Sequence, residues 1–203
     1  MKSLSEIETT SKRASKASGY SWGISEEVGK NTRMLEMFGF SGIKNLIEYY
    51  NIKKKKNFEN LKLINKDKKV KSHQFCPIIS GTSFLDQIKS LENLNEIKFE
   101  NLAYPLLFLP FASRASEVIG KKILLKLDNN EFLLNFNISI YSNWVKKDVI
   151  ETARLVSARF LENSDSFSEN EWKQLYKLSE DTFVEEKDSL KLSGAGAGLT
   201  DND

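Results

Sequence analysis

Glu26 and Glu27, followed by Lys30 and Arg33 and preceded by Tyr20 and Trp22, are the densest group of chemically committed side chains in this 203-residue sequence. A glutamate works as a general acid or base when burial raises its pKa. An arginine grips a carboxylate or phosphate through its planar fork. Trp22, Glu26, Gly29 and Arg33 fall at i, i+4, i+7 and i+11, one face of a helix. Gly29 lets a ligand or another backbone come close. The expected site therefore has Glu26 and Glu27 as catalytic residues and Tyr20, Trp22, Lys30 and Arg33 as substrate-binding residues. The same pattern also reads as architecture. Gly29 would receive a neighbouring helix, Trp22 would fill the core, and Glu26 would pair with Lys30 or Arg33.

The C-terminal end offers a second group. Gly194, Gly196 and Gly198 alternate with alanines and lead to Asp201, Asn202 and Asp203. Ordering a Gly-Ala arm costs much entropy, so an ordered arm needs specific contacts. These six residues are read either as an arm that touches a partner or the chain's own site, or as a disordered end. Their carboxylates could take Mg²⁺ or Ca²⁺, but no metal site is assigned. His73 and Cys76 sit three apart, a spacing that does not establish a nucleophile pair. They read as packing residues, with Pro77 marking an extended segment. Arg114 is a lesser anion candidate near a helix start.

Composition bounds what these residues can serve. The net charge is +2 and 29% of residues are charged, a soluble balance. One cysteine excludes an internal disulfide and fits a reducing cytoplasm. No apolar stretch follows Met1 or is long enough to span a bilayer, so neither a signal peptide nor a membrane partner is expected. Residues 53 to 71 hold nine lysines against Glu59 and Asp67. That run has no arginine and one aromatic ring, which argues against nucleic acid and for a solvated insertion over 51–72. Only five of the 30 basic residues are arginines, so the arginines mark places that need a fork. No cofactor follows from the sequence.

The elements that position these residues can be read in order. Ser3 with Glu6, and Ser5 with Glu8, offer capping boxes for a helix to about Ala17, stopped at Gly19. A second helix from Ser21 or Ser25 to Phe38 buries Ile24, Val28, Leu35 and Phe38. A third, 42 to 50, turns Ile43, Leu46 and Ile47 inward. A strand is expected over 73–79, ended by Gly81, then a short helix capped by Thr82 or Ser83. Glu96 to Glu100 alternates as a strand. Pro105 to Pro110 reads as a buried strand or irregular core segment, and 113–119 as a short helix closed by Gly120. A hairpin turns at Asn129-Asn130, pairing Leu127 with Phe132, Leu125 with Leu134 and Ile123 with Phe136. Val149 to Val156 is a further strand. Ser168 and Glu171 cap a last helix with Trp172, Leu175 and Leu178 inward. The fold class is α+β: N-terminal helices packed on a mostly antiparallel sheet, one C-terminal helix and a Gly/Ala-rich tail. The whole of 1–203 reads as a single domain. Within it, residues 1–50 are helical, 51–72 are the insertion, 73–190 are mixed α+β and 191–203 are the tail.

Two stretches carry a family resemblance. Leu4-Ser5 with Glu6-Ile7-Glu8, then Gly19-Tyr20-Ser21-Trp22-Gly23 with Glu26-Glu27 and Arg33, resembles the opening of the bacterial family called domain of unknown function 3726. The ending from Gly194 to Asp203 is similar to that family's C-terminus. The resemblance thus spans the chain, with the lysine-rich run departing from it. It implies a single full-length domain and brings no activity, cofactor or residue role. Function is read as an enzyme or enzyme subunit that binds a small anionic metabolite. The rival is a non-catalytic module that meets a protein partner through its Gly-Ala arm.

Overall fold

Ser3 starts the first helix. Its Oγ accepts the Glu6 N–H at 3.2 Å, and the Glu6 carboxylate accepts the Ser3 N–H at 2.8 Å. That reciprocal cap satisfies two of the donors a helix start leaves open. The computed structural model describes residues 2–61, 67–68, 74–144 and 149–182. Helix α1 spans Leu4–Ala17, α2 Trp22–Met37 and α3 Gly42–Lys53. Gly19 (φ 93°) and Gly39 (φ 74°) follow the first two helices in the left-handed region, which a side chain enters at a cost. Ser21 caps α2 by accepting the Ile24 N–H.

Helices α1 and α2 come close together at Gly29. A Cβ there would lie 2.7 Å from the Glu8 carbonyl oxygen and 3.2 Å from Lys12 Cβ. The buried face of α2 carries Val28, Thr32 and Leu35, with Ile24 and Phe38 half-buried.

The sheet has the order β1-β2-β6-β3-β4-β5. Its strands are β1 Asp67–Lys68, β2 Glu96–Ala103, β3 Lys122–Leu127, β4 Asn130–Asn135, β5 Ser139–Ser142 and β6 Thr152–Leu161. β1 runs parallel to β2, and the remaining neighbours are antiparallel. Ile97, Phe99, Ile123, Leu125, Phe132, Leu134, Val156 and Phe160 are all buried, at the alternating positions a pleated strand provides. Helices α4 (Pro77–Leu91) and α5 (Leu109–Ile119) pack against each other. Phe84 and Phe108 meet edge-on at 5.4 Å, and Phe108 meets Phe99 of β2 at 5.7 Å. After α2, Phe40 reaches Phe132 of β4 at 5.9 Å. This is the α+β arrangement expected.

Several local expectations are corrected. Residues 74–79 form no strand. Phe75 makes isolated bridges to Glu59 and Leu102, Cys76 is the N-cap of α4, and Pro77 is its first residue. Proline suits that position because its missing N–H is not needed there. Gly81 therefore lies inside α4 rather than ending a strand. Its bare Cα admits the Phe111 ring, which a Cβ would overlap. Pro105 to Pro110 is a turn of 3-10 helix, Pro105–Leu107, leading into α5.

The hairpin is shifted by two residues. Leu127 pairs with Asn130, Leu125 with Phe132 and Ile123 with Leu134, so the turn is Asp128-Asn129 and Phe136 is exposed. A two-residue shift preserves the buried face. The turn is tied down from β6. The Asp128 carboxylate accepts the N–H groups of Arg154 (3.2 Å) and Leu155 (2.8 Å), with Asp128 at φ 54°. On α3, Leu46 is buried, but Ile43 and Ile47 are exposed.

The chain divides into two units, Met1–Asn163 and Ser164–Asp203. In the second, Ser168 and Glu171 form the expected capping box of α6, Glu169–Ser179. Trp172, Leu175 and Leu178 are exposed rather than inward. His73 and the tail residues 194–203 lie outside the described residues.

Candidate functional site

The charged residues of the Tyr20–Arg33 stretch are held in pairs. Glu26 accepts from Lys12 at 2.5 Å, which keeps its carboxyl below the usual range. Arg33 donates to Glu8 at 2.9 Å. Glu27 lies between Arg114 of α5 and Lys30, the latter at 3.1 Å. Burial works to raise its pKa, but the hydrogen bonds from Arg114 and Lys30 outweigh it and hold the carboxyl low. Trp22 is 56% exposed, with the ammonium groups of Lys12 and Lys16 at 5.7 and 5.4 Å from its ring. These residues link α1, α2 and α5. Tyr20 is placed apart from them, buried beside α3 and α4.

Tyr20 belongs to a different cluster. Its hydroxyl lies 2.9 Å from that of Tyr49 on α3 and 3.4 Å from Cys76 Sγ, and Tyr49 lies 3.0 Å from the same sulfur. Cys76 Sγ also accepts the Ile79 N–H at 3.4 Å, standing in for the usual hydroxyl cap of α4. Burial, reinforced by the thiol beside them, pushes both phenols far above their ordinary value of 10.0, so they serve as neutral hydrogen-bonding groups. One residue further along α3, Tyr50 donates to Ser15 of α1 at 2.6 Å. The cluster thus joins the α1–α2 turn, α3 and the start of α4.

A cleft of about 400 Å³ opens over this cluster. Lys53, at the end of α3, and Lys56 line it, with Asn57, Phe58 and Asn60 from the segment that follows. Lys53 Nζ donates to the Ser18 carbonyl at 2.8 Å and lies 4.7 Å from the Tyr20 ring. Lys56 Nζ donates to Gln74 Oε1 at 2.7 Å, and Gln74 Nε2 donates in turn to Thr152 of β6. Phe58 packs on Tyr49 at 5.2 Å, and Leu61 is buried. Phe58 and Leu61 thus return the chain to the core, while Lys54, Lys55, Lys56 and Asn57 stay exposed. No carboxylate lines the cleft among the described residues.

Among the described residues, Tyr20 is the one expected site residue at the cleft. Lys53, Lys56 and Tyr49 were not expected there. The available signal was Phe58, a lone aromatic within the lysine run, which marks where that run rejoins the core. A separate apolar groove of about 300 Å³ lies between α1 and α3, lined by Ile7, Ala14, Ile43, Leu46 and Ile47.

Residues 2–76 match the sequence model of a family described as "Protein of unknown function (DUF3726)". Over that stretch the chain is similar to this family. The match takes in α1, α2, α3, the lysine-rich run and the Cys76 cap, a narrower span than the whole-chain resemblance expected. No curated protein and no solved structure matches the chain. No helix among the described residues is long and apolar enough to cross a membrane.

Proposed function

We propose that the protein, as an enzyme or enzyme subunit, binds a small anionic metabolite in the cleft formed by the Gly19–Ser21 turn, the end of α3 and the start of α4. One contrast carries this reading. Lys12, Lys30, Arg33 and Arg114 are each matched to a carboxylate. Among the described residues, Lys53 and Lys56 are held by neutral oxygens, those of Ser18 and Gln74. Among the described residues no carboxylate faces their charge in this concave space, which is where an anion gains most. Tyr20 and Phe58 wall the ligand, and the Tyr20 hydroxyl and Cys76 thiol beneath it are the protic groups nearest the floor. The anchor thus moves from Arg33 to Lys53 and Lys56.

Calorimetric titration against a panel of small carboxylates and phosphates tests this. Binding should fall sharply in a Lys53→Gln/Lys56→Gln variant and persist in Arg33→Gln. Binding lost in Arg33→Gln but kept in the lysine variant would overturn the assignment.

The α1–α3 groove favours a second reading, a protein-interaction module whose N-terminal helices form the contact face. Ile43 and Ile47 are apolar and exposed there. Ile47→Glu should then break a complex without lowering the melting temperature. The tail residues Gly194 to Asp203 belong to the same reading as its partner-contacting arm.

A further inference from the structure

Lysine and arginine ask for different anions. A guanidinium fork matches a planar carboxylate in two parallel bonds, whereas an ammonium is a compact point charge with three donors and no preferred plane. The cleft uses two ammonium groups and no arginine. Lys53 and Lys56 sit about one helical turn apart in sequence. Among the described residues each donates to a single oxygen, which leaves two N–H donors per ammonium for a ligand. Asn57 and Asn60 line the same space, and their type adds neutral donors. Two positive charges with no carboxylate among them match a ligand group that carries two negative charges. Several separate donors suit a group with three outward oxygens better than one with two in a plane.

We infer that the anion taken by this cleft carries a doubly charged phosphoryl group, held by Lys53 and Lys56 and completed by Asn57 and Asn60. The inference rests on the anion-binding reading above and specifies its ligand. A singly charged carboxylate would leave one ammonium uncompensated and several of the donors unused.

The test uses methyl phosphate and acetate as probes, titrated into the isotopically labelled full chain and followed by amide and lysine-amine NMR shifts. At about pH 7.5 methyl phosphate should bind roughly tenfold more tightly than acetate, a difference of about 1.4 kcal/mol. At about pH 5 the phosphate has regained a proton, its second ionisation lying near pH 6, and its affinity should drop severalfold while that of acetate holds. Lys53→Gln should lower methyl phosphate binding by roughly tenfold. Lys56→Gln, which removes only an exposed bond to Gln74, gives the same readout if Lys53→Gln fails to fold. Equal binding of the two probes, or phosphate binding indifferent to pH, would overturn the phosphoryl assignment and leave the anion-binding reading standing. Neither probe shifting Lys53, Lys56 or Tyr20 would overturn both.

Discussion

Substituting Gly29 by alanine separates two effects that usually arrive together. In the middle of a helix, glycine to alanine gains about 1 kcal/mol of backbone propensity. At Gly29 the new methyl would lie 2.7 Å from the Glu8 carbonyl oxygen. Ordinary contact begins near 3.4 Å, so α1 would have to retreat by about 0.7 Å. Overpacking of this kind costs about 1–3 kcal/mol, and α1 cannot retreat without straining the Arg33–Glu8 and Lys12–Glu26 pairs. The net is a loss of roughly 0–2 kcal/mol once the gain in propensity is set against the crowding. Gly23, in the first turn of the same helix, is the control, because a Cβ there meets nothing within 4 Å. Gly23→Ala should stabilise by about 0.5–1 kcal/mol. The two variants should therefore differ by about 0.5–3 kcal/mol, or up to several degrees in melting temperature for a chain of this size. Urea and thermal unfolding followed by circular dichroism measure both. Equal stabilisation by the two alanines would refute the close α1–α2 approach.

Two further outcomes follow from the same packing. Asp128→Ala removes the acceptor for two β6 amides and places a side chain without a local hydrogen bond at φ 54°. It should destabilise by about 2 kcal/mol in urea titration, with Asp128→Asn milder because one acceptor remains. Tyr20, Tyr49 and Tyr50 have phenols raised above 10.0 in the folded state, chiefly by burial. The stability they contribute is complete below about pH 10 and is lost as pH rises beyond it. Their ionisation, read by absorbance near 295 nm, should coincide with unfolding. Tyrosinate appearing in all six tyrosines before the fold is lost would contradict the buried cluster.

Local grammar carried much of the fold. Ser3 with Glu6 and Ser168 with Glu171 fixed two helix starts because a capping box is satisfied within four residues. Gly19, Gly39 and Gly120 marked three helix ends because the left-handed turn is a property of one residue. Expectations failed where a distant partner decided. The hairpin register moved by two because Asp128 is held by β6, a strand more than 20 residues later in sequence. Gly81 looked like a terminator because the Phe111 ring that needs its missing Cβ arrives 30 residues later. Cys76 gave no sign of being a cap because thiols seldom fill that role.

The site was the least legible region. A sequence shows which residues carry charge, and the pairing in space decides which charges are spent. Glu26, Glu27, Lys30 and Arg33 stood out by density, yet each meets an opposite charge. Lys53 and Lys56 were two among nine lysines until the fold placed both at the cleft beside Tyr20 and Tyr49.

Native mass spectrometry of the full chain, purified gently from its own cells, tests the anion-binding account most directly. The account predicts a small retained mass that is present in wild type and in Arg33→Gln and lost in Lys53→Gln/Lys56→Gln. A retained mass unaffected by the lysine pair, or one that depends on Arg33 instead, would contradict it.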